Sequence, residues 1–436
     1  MNEPVGIALL GSGVVGRGVL AILSEQQDLL ERRTGLRFEV CHVVCRDVNK
    51  NADLAKTYNL HTDTTRAVSD PRVKIVVEVM GGLGAESPIN EAIRSGKHIV
   101  TANKALLAAR GNHLFPLAKK HGVSIGFEAS CAGGIPIIDA LTRGLLSNRI
   151  DSLTGIINGT CNYILTQMTE KGQTYSQALS EAQKLGYAEA DPTLDVNGRD
   201  SAQKLAILAS LAFNCQVNER DIHITGIDTL QADDIRFAEE LGYAIKLLGI
   251  AERVGDSLSL RVHPTLVHHG ELLADVNGAF NAISLYGHAI GHQFFYGRGA
   301  GQMPTASAVV ADILGVALGI IPHTFARLNI YPGQLEPARV LPFEQLRSRY
   351  YLRVSAADVP GVFADITAAL GKHHISLSGV SQKESEEDVS VVPVVVVTHR
   401  ATEGDIQAAL KEIDALATIK SPTVCLRIVD VPKEFA

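Results

Sequence analysis

The feature that most constrains this chain is a glycine pattern close to its start. Gly11-Ser12-Gly13-Val14-Val15-Gly16 follows the apolar run Val5–Leu10 and opens a helix-forming stretch. In G-x-G-x-x-G the first glycine permits a tight turn and the second admits a pyrophosphate against the backbone. The third lets helix and strand pack closely. The free N–H groups at the start of the following helix add donors and positive potential. Gly11, Gly13, Val14, Val15 and Gly16 are therefore the expected cradle of a dinucleotide. More β-rich runs follow at Phe38–Val44, 74–79, His98–Thr101 and 123–127. Helical patterns at 14–23, 52–58, 87–95 and 104–121 separate them. Strand and helix in alternation mean a parallel, doubly wound sheet. The polar stretch 24–36 reads as an insertion.

The end of the second strand bears on the choice of dinucleotide. It reads Cys45-Arg46-Asp47, with Lys50 close by. An acidic residue there suits the ribose 2′-hydroxyl of NAD, and an arginine suits the 2′-phosphate of NADP. Arg46 favours NADP, while Asp47 keeps NAD open.

Beyond residue 138 the pattern changes. Helical stretches at 162–170, 175–185, Arg199–Phe213 and 235–241 are followed by strand-like runs at 244–252, 258–266 and 279–289. Strands without intervening helices predict an antiparallel sheet in an α+β domain. Gly255-Asp256 and Asn277-Gly278 stand where hairpin turns are expected. An apolar stretch at 306–321 reads as one buried core helix. Prolines at 332, 337 and 342 mark a linker. The remainder, 350–431, reads strand, helix, strand, strand, helix, strand, with the third strand at 388–398. That is a ferredoxin-like βαββαβ unit.

Composition narrows the partners. At 436 residues, about 150 per domain predicts about three domains. The net charge of -7 gives no global basic field, so neither nucleic acid nor an anionic membrane is an expected partner. No apolar run approaches the roughly 20 residues of a membrane span, and the N-terminus lacks the basic start of a secretory signal. Six scattered cysteines form no Cys-x-x-Cys pair, which suits reduced thiols in a cytoplasm.

Chemistry concentrates in four places. Gly186 through Pro192 leads into Asp195, Asp200 and Lys204, so that Glu189, Asp191, Asp195 and Asp200 crowd around one lysine. Asp200 and Lys204 are four apart and share a helix face. The helix behind them is almost wholly apolar, so its polar start is expected to face a cleft. Lys104 follows a strand of the nucleotide domain, and such strand ends face the ligand crevice. Glu128 with the turned backbone 131–136 offers oxygens to a hard cation, though taken alone these residues read more readily as a plain interdomain turn. Gly297–Thr305 is a glycine-rich connection, either a ligand contact or a hinge.

Together these residues resemble homoserine dehydrogenase in its longer form with a C-terminal ACT domain. The most specific stretch is Gly186-Tyr187-Ala188-Glu189-Ala190-Asp191-Pro192 with Asp195, Gly198, Asp200 and Lys204. Glu78–Gly82, Thr101–Leu106, Glu128–Pro136 and Asn158–Tyr163 support it. The resemblance implies an N-terminal Rossmann domain over 1–137 and a catalytic and dimerisation domain over 138–335, its helix 305–320 returning to the nucleotide domain. An ACT domain follows over 350–431. It implies NAD(P)-linked interconversion of L-homoserine and L-aspartate 4-semialdehyde, in threonine and methionine biosynthesis, by a homo-oligomer (dimer or tetramer).

By position, Lys204 resembles the acid/base lysine and Lys104 a second active-site lysine touching nicotinamide and substrate. Glu189, Asp195 and Asp200 resemble the groups that hold homoserine. Gly186 and Gly301 resemble further cofactor contacts. Glu128 and the carbonyls of Cys131, Gly133 and Ile135 resemble a site for a monovalent cation, Na+. In the ACT unit the turn 358–363, completed by Ser381 and Gln382, is the expected site for threonine as effector. A free lysine keeps its proton to a pKa near 10.4. Burial and a neighbouring cation lower that value, and neighbouring carboxylates raise it. Two other classes fit parts of the sequence: a nucleotide- and amino-acid-sensing protein without catalysis, and a semialdehyde dehydrogenase acting through a thiolate at Cys131 or Cys161.

Overall fold

The computed structural model describes residues 3–382 and 391–430. Its first unit is built from β1 (Val5–Leu10), α1 (Val14–Glu25), α2 (Gln27–Thr34), β2 (Phe38–Val44), β3 (Leu60–His61) and α3 (Thr64–Ser69). It continues through β4 (Val73–Glu78), α4 (Glu86–Arg94), β5 (His98–Thr101), α5 (Lys104–Lys120) and β6 (Ile125–Gly126). All strands pair in parallel, in the order β3-β2-β1-β4-β5-β6. That is the doubly wound dinucleotide-binding order, with its crevice at the carboxyl ends of β1 and β4. Both faces of the sheet are covered, so Ile7, Leu9, Val43, Val77 and Val100 are wholly buried.

The stretch 24–36 holds the last residues of α1 and the helix α2, closed by Gly35 in the left-handed region at φ 73°. The helix expected over 52–58 is two single 3-10 turns, Asn49–Asn51 and Leu54–Lys56. Asp47 starts the first of them by accepting the N–H groups of Asn49 and Lys50.

The second unit contains α6 (Ile137–Asp139), β7 (Ile150–Ile156), α7 (Gly159–Lys171), α8 (Tyr175–Lys184), α9 (Thr193–Val196), α10 (Arg199–Phe213), β8 (His223–Ile224) and α11 (Ala232–Glu240). Then come β9 (Tyr243–Val254), β10 (Ser257–His268), β11 (Phe280–Gly287), β12 (Gly291–Arg298), α12 (Gln302–Ala317) and α13 (Ile320–Arg327). Gly255-Asp256 does join β9 and β10 as a hairpin. Asn277-Gly278 does not form one. It precedes β11, whose partners are β7 and β12.

The single helix expected over 306–321 is broken. Gly319 enters the left-handed region at φ 75°, and α13 leaves α12 at 78°. Among the described residues no single helix is long and apolar enough to cross a membrane, although this bent pair passes that test by length and composition. α12 lies against α1 so closely that a Cβ on Gly18 would stand 2.8 Å from the Cβ of Ala306.

The third unit is β13 (Arg347–Ala357), α14 (Val362–Lys372), β14 (Leu377–Gln382), β15 (Val391–Thr398), β16 (Ala401–Thr402), α15 (Glu403–Asp414) and β17 (Ile419–Ile428). Residues 388–390 of the expected strand, and residue 431, lie outside the described residues. The βαββαβ order is present, but its sheet is not separate. β17 pairs in parallel with β10 at Thr265–Arg427 and Leu266–Ile428, which makes one sheet, β12-β11-β7-β9-β10-β17-β13-β15-β14. Tyr351, Val395, Val397 and Leu426 accordingly belong to the same apolar cluster as Leu205 and Leu260 of the second unit.

Candidate active site

The polar groups of the sequence meet where three helices begin. α5 starts at Lys104, α7 follows β7 through Ile157 and Asn158, and α10 starts at Arg199. Asn103 caps α5, accepting the N–H of Leu106. Asn158 caps α7, accepting the N–H of Cys161. Asp200 lies in the first turn of α10, where the helix dipole favours an anion.

The Asp200 carboxylate bridges the cleft. Its Oδ1 is 3.0 Å from Lys104 Nζ on the nucleotide unit, and its Oδ2 is 2.6 Å from Lys204 Nζ. Lys204 Nζ also donates to the carbonyl of Ile157 at 2.8 Å. Asn158 donates to Asp200 Oδ2 and to Asp195 Oδ1, both at 2.8 Å. Burial pushes the Asp200 carboxyl up, but the ammonium groups of Lys204 and Lys104 outweigh it and hold it below its ordinary value. The Asp200 carboxylate in turn raises Lys104 against its burial. Burial and the neighbouring Asp200 raise Asp195.

Lys104, Asp195, Asp200 and Lys204 are thus brought together. Glu189 is not among them. It stands exposed on the turn after α8, where its carbonyl accepts a bond from Gln183. Gly186, also exposed, takes φ 76° at the end of that helix. Sequence reasoning assigned no role to Asn158, which ties both aspartates to the strand end. The signal was present: an asparagine before Gly-Thr at a strand-to-helix junction is a helix cap. It also missed the brace beneath Lys104. Thr101 Oγ1 donates to the wholly buried Glu78 at 2.6 Å, and Glu78 in turn accepts the N–H groups of Met80 and Gly81.

The glycine loop has the shape a pyrophosphate requires. Gly11 takes φ 116°, and a Cβ on it would stand 2.8 Å from the Val79 carbonyl. A Cβ on Gly16 would stand 2.1 Å from the Gly11 carbonyl, so that position is closed to any larger residue. Gly13 has open space around it and forms the N-cap of α1, and Val14 beside it is 65% exposed. Val15 is half-buried. These residues fit a dinucleotide. Arg46 is exposed just past β2, while the Asp47 carboxylate is committed to its own turn. Gly301 is exposed, with φ 122°, at the start of α12.

The Glu128 loop is turned as a carbonyl site needs, with Ala132 and Gly133 at φ 53° and 50°. Its carboxylate accepts two backbone bonds. Oε1 accepts the N–H of Ile138 at 2.8 Å and Oε2 that of Asp139 at 2.7 Å. Burial pushes this carboxyl up to about 7. The Ile135 carbonyl accepts the N–H of Ile137. Each of these bonds uses one lone pair, so Glu128 and the carbonyls of Cys131, Gly133 and Ile135 still have oxygen lone pairs to offer a small cation. Among the described residues no three His, Cys, Asp or Glu side chains are grouped to hold a metal ion.

A thiolate mechanism does not fit. Cys131 is wholly buried and its thiol is pushed up to about 12 by burial, and burial likewise holds Cys161 far above its ordinary value.

A Rossmann crevice facing a lysine–aspartate–lysine bridge defines a nicotinamide-dependent oxidoreductase. Residues 11–128 match the model for the NAD-binding domain of homoserine dehydrogenase, 136–314 the homoserine dehydrogenase model, and 350–418 the ACT domain model. The chain is 43% identical over 430 residues to a homoserine dehydrogenase of Neisseria gonorrhoeae, covering 98% of this chain and 99% of that one. It is also 43% identical over 434 residues to one of Pseudomonas aeruginosa, covering 98% and 99%. The solved homoserine dehydrogenase of Thiobacillus denitrificans superposes with a TM-score of 0.92 at 44% identity, over 98% of this chain and 99% of that one. The chain belongs to the homoserine dehydrogenase family.

Proposed function

We propose that the chain interconverts L-homoserine and L-aspartate 4-semialdehyde, with Lys204 as the acid/base. The observation that carries this reading is the Asp200 carboxylate between Lys104 and Lys204 at the mouth of the nucleotide crevice. A bound nicotinamide supplies the hydride acceptor. In the reducing direction the Lys204 ammonium gives a proton to the aldehyde oxygen; in the oxidising direction Lys204 first releases a proton to solvent and then, as the neutral amine, takes the proton of the homoserine hydroxyl. Asp200 keeps the lysine Nζ aimed and holds Lys104 across the cleft. Asp195, tethered by Asn158, and Glu189, on the exposed turn, receive the substrate ammonium. Lys104 receives the carboxylate.

The remaining assignments complete the proposal. Gly11, Gly13, Val14, Val15 and Gly16 cradle the pyrophosphate, and Gly186 and Gly301 border the cofactor. Arg46 favours NADP over NAD. A Na+ ion sits on Glu128 and the carbonyls of Cys131, Gly133 and Ile135. The functional units are 1–137, 138–335 and 350–431. The enzyme is a cytoplasmic homo-oligomer, and threonine inhibits it from the turn 358–363 with Ser381 and Gln382. The test of the central claim is the Lys204→Met variant, assayed in both directions beside a direct measurement of cofactor binding. Loss of turnover with cofactor affinity kept supports the assignment. A variant with half the wild-type turnover overturns it.

A further inference from the structure

A cavity of about 260 Å³ lies on the face of the long sheet away from α10. Successive strand residues point to opposite faces. Leu153, Leu260 and Val262 pack into the core under the helices. Their neighbours Ser152, Thr154, Arg261, His263 and Ser284 line the cavity. Its roof is the connecting segment at Leu341 and Leu346 with residues 427–430 at the end of β17. The cavity therefore belongs to both the catalytic sheet and the C-terminal unit. It is separate from the lysine–aspartate bridge and from the turn 358–363.

His263 is 1% exposed and incompletely satisfied. Its Nδ1 is 2.8 Å from Thr265 Oγ1 and 3.2 Å from the Pro264 carbonyl, and Thr265 Oγ1 is 3.0 Å from the His263 carbonyl. Carbonyls only accept, so Nδ1 carries the ring proton and Thr265 gives its own to the His263 carbonyl. Nε2 is then a lone pair with no partner in the molecule. Burial, with the charges of Arg427 and Arg261, holds this imidazole neutral. A group that fills the gap must donate a hydrogen bond.

The rest of the lining asks for an anion. Arg261, Arg347, Arg400 and Arg427 face it against the carboxylates of Glu252 and Asp430. Glu252 pairs with Arg261, Asp430 with Arg400, and Glu403 with Arg427 from behind. Arg427 stands over the Phe343 ring, its guanidinium carbon 4.9 Å from the ring centre. The third requirement is apolar, set by Ile250, Leu341 and Leu346.

We propose that this cavity binds a small aliphatic carboxylic acid that also carries an N–H or O–H donor on its α-carbon. The carboxylate meets the Arg261 and Arg427 edge, the donor meets His263 Nε2, and the aliphatic group lies against Ile250 and Leu346. The site bears on the catalytic centre through β7. Ser152 and Thr154 line the cavity, and the same strand runs on into Ile157, whose carbonyl holds Lys204, and Asn158, which holds both aspartates.

Calorimetric titration of the full-length protein tests this with three probes of one shape: L-valine, 2-hydroxy-3-methylbutanoate and 3-methylbutanoate. Saturable binding of the first, the second or both is expected, and it identifies the amino or the hydroxy acid as the natural class. The donor-free third probe should bind at least about tenfold more weakly. His263→Phe keeps a ring but removes Nε2, and it should weaken the preferred probe by about tenfold with turnover in the absence of probe unchanged. Should that variant not fold, Ser152→Leu fills the cavity from the opposite strand and should abolish binding. The proposal is overturned if neither donor-bearing probe saturates the wild type or if 3-methylbutanoate binds as tightly as they do. It is equally overturned if the folded variants bind like wild type. Loss of binding only on replacing Ser381 and Gln382 would place the probe in the ACT turn instead and also overturn it.

Discussion

On its nucleotide side the catalytic unit reaches across a cleft with side chains: Asp200 of α10 meets Lys104 at the start of α5. Helix α12 also crosses over to lie on α1. On its C-terminal side the joint is backbone, with β10 and β17 paired in parallel within one sheet. The buried pair Arg353–Asp234 lies beside that seam at 2.6 Å, and Arg353 also donates to Gln231. A side-chain joint can open for substrate and titrates with pH. A sheet joint shares its core and moves as one body. The proposed chemistry sits at the first joint, and any signal from the C-terminal unit must cross the second.

The sharpest way to break the first joint is Lys204→Met. Turnover should fall by about 10²–10⁴, the usual worth of a positioned acid/base. Cofactor affinity, measured by fluorescence titration, should stay within about twofold, because the crevice of β1 and β4 is untouched.

The second joint should fail differently. Arg353→Met leaves Asp234 buried without its partner, and breaking such a pair costs about 3–5 kcal/mol. Chemical denaturation should show the loss as one cooperative transition, with the KM for homoserine unchanged. Two separate transitions would mean that the ACT unit is tethered rather than fused.

Asp200 gives the first joint its pH dependence. Its folded pKa is depressed, so the folded state binds fewer protons than the unfolded chain. Its stabilisation is complete above the ordinary carboxyl value of 3.8 and is lost as pH falls below it. The melting temperature of wild type should therefore drop steeply below about pH 4, and Asp200→Asn should flatten that drop. At neutral pH the variant should be about 2 kcal/mol less stable, less than a fully buried pair because Lys104 is 37% exposed.

These joints differ in how much of them the sequence disclosed. The glycine loop and the Asp200–Lys204 spacing are local, so their chemistry was readable without the fold. The Lys104–Asp200 contact spans 96 residues, yet the rule that strand ends face the crevice pointed to Lys104 before its partner was known. Glu189 lies four residues before Val196's helix begins, but an exposed turn leaves no pattern that says where its side chain goes. The fusion of β17 to β10 was not legible at all. A proline-rich linker reads as a boundary, whereas pairing between strands of different units depends on register and burial that no short window carries.

That fusion changes how regulation should be tested. Removing the chain from residue 350 would strip Tyr351, Val395 and Leu426 from the shared core and expose the edge of β10. A truncated enzyme would then lose activity for reasons unrelated to an effector. Replacing Ser381 and Gln382 by alanine leaves the seam intact, since both stand exposed on β14. Threonine should inhibit the wild type with a coupling of about 1–3 kcal/mol, and the double variant should lose most of it. Identical inhibition curves would remove this turn from regulation.

The smallest expected effect lies at the far rim of the first joint. Arg46 is exposed past β2, and the two groups that could compete with it are already engaged. The Asp47 carboxylate accepts two N–H groups of its own turn, and Arg17 is held by Asp53 at 2.6 Å. A guanidinium facing a 2′-phosphate forms a charge-assisted fork, but one in contact with solvent is screened. Arg46→Ala should therefore raise the KM for NADP by about tenfold and the KM for NAD by less than about twofold. The gap should narrow as salt is added, because screening removes a surface charge pair before it removes a buried one. Equal changes for both cofactors would show that Arg46 does not read the phosphate, and would leave the backbone of the glycine loop as the main determinant of cofactor binding.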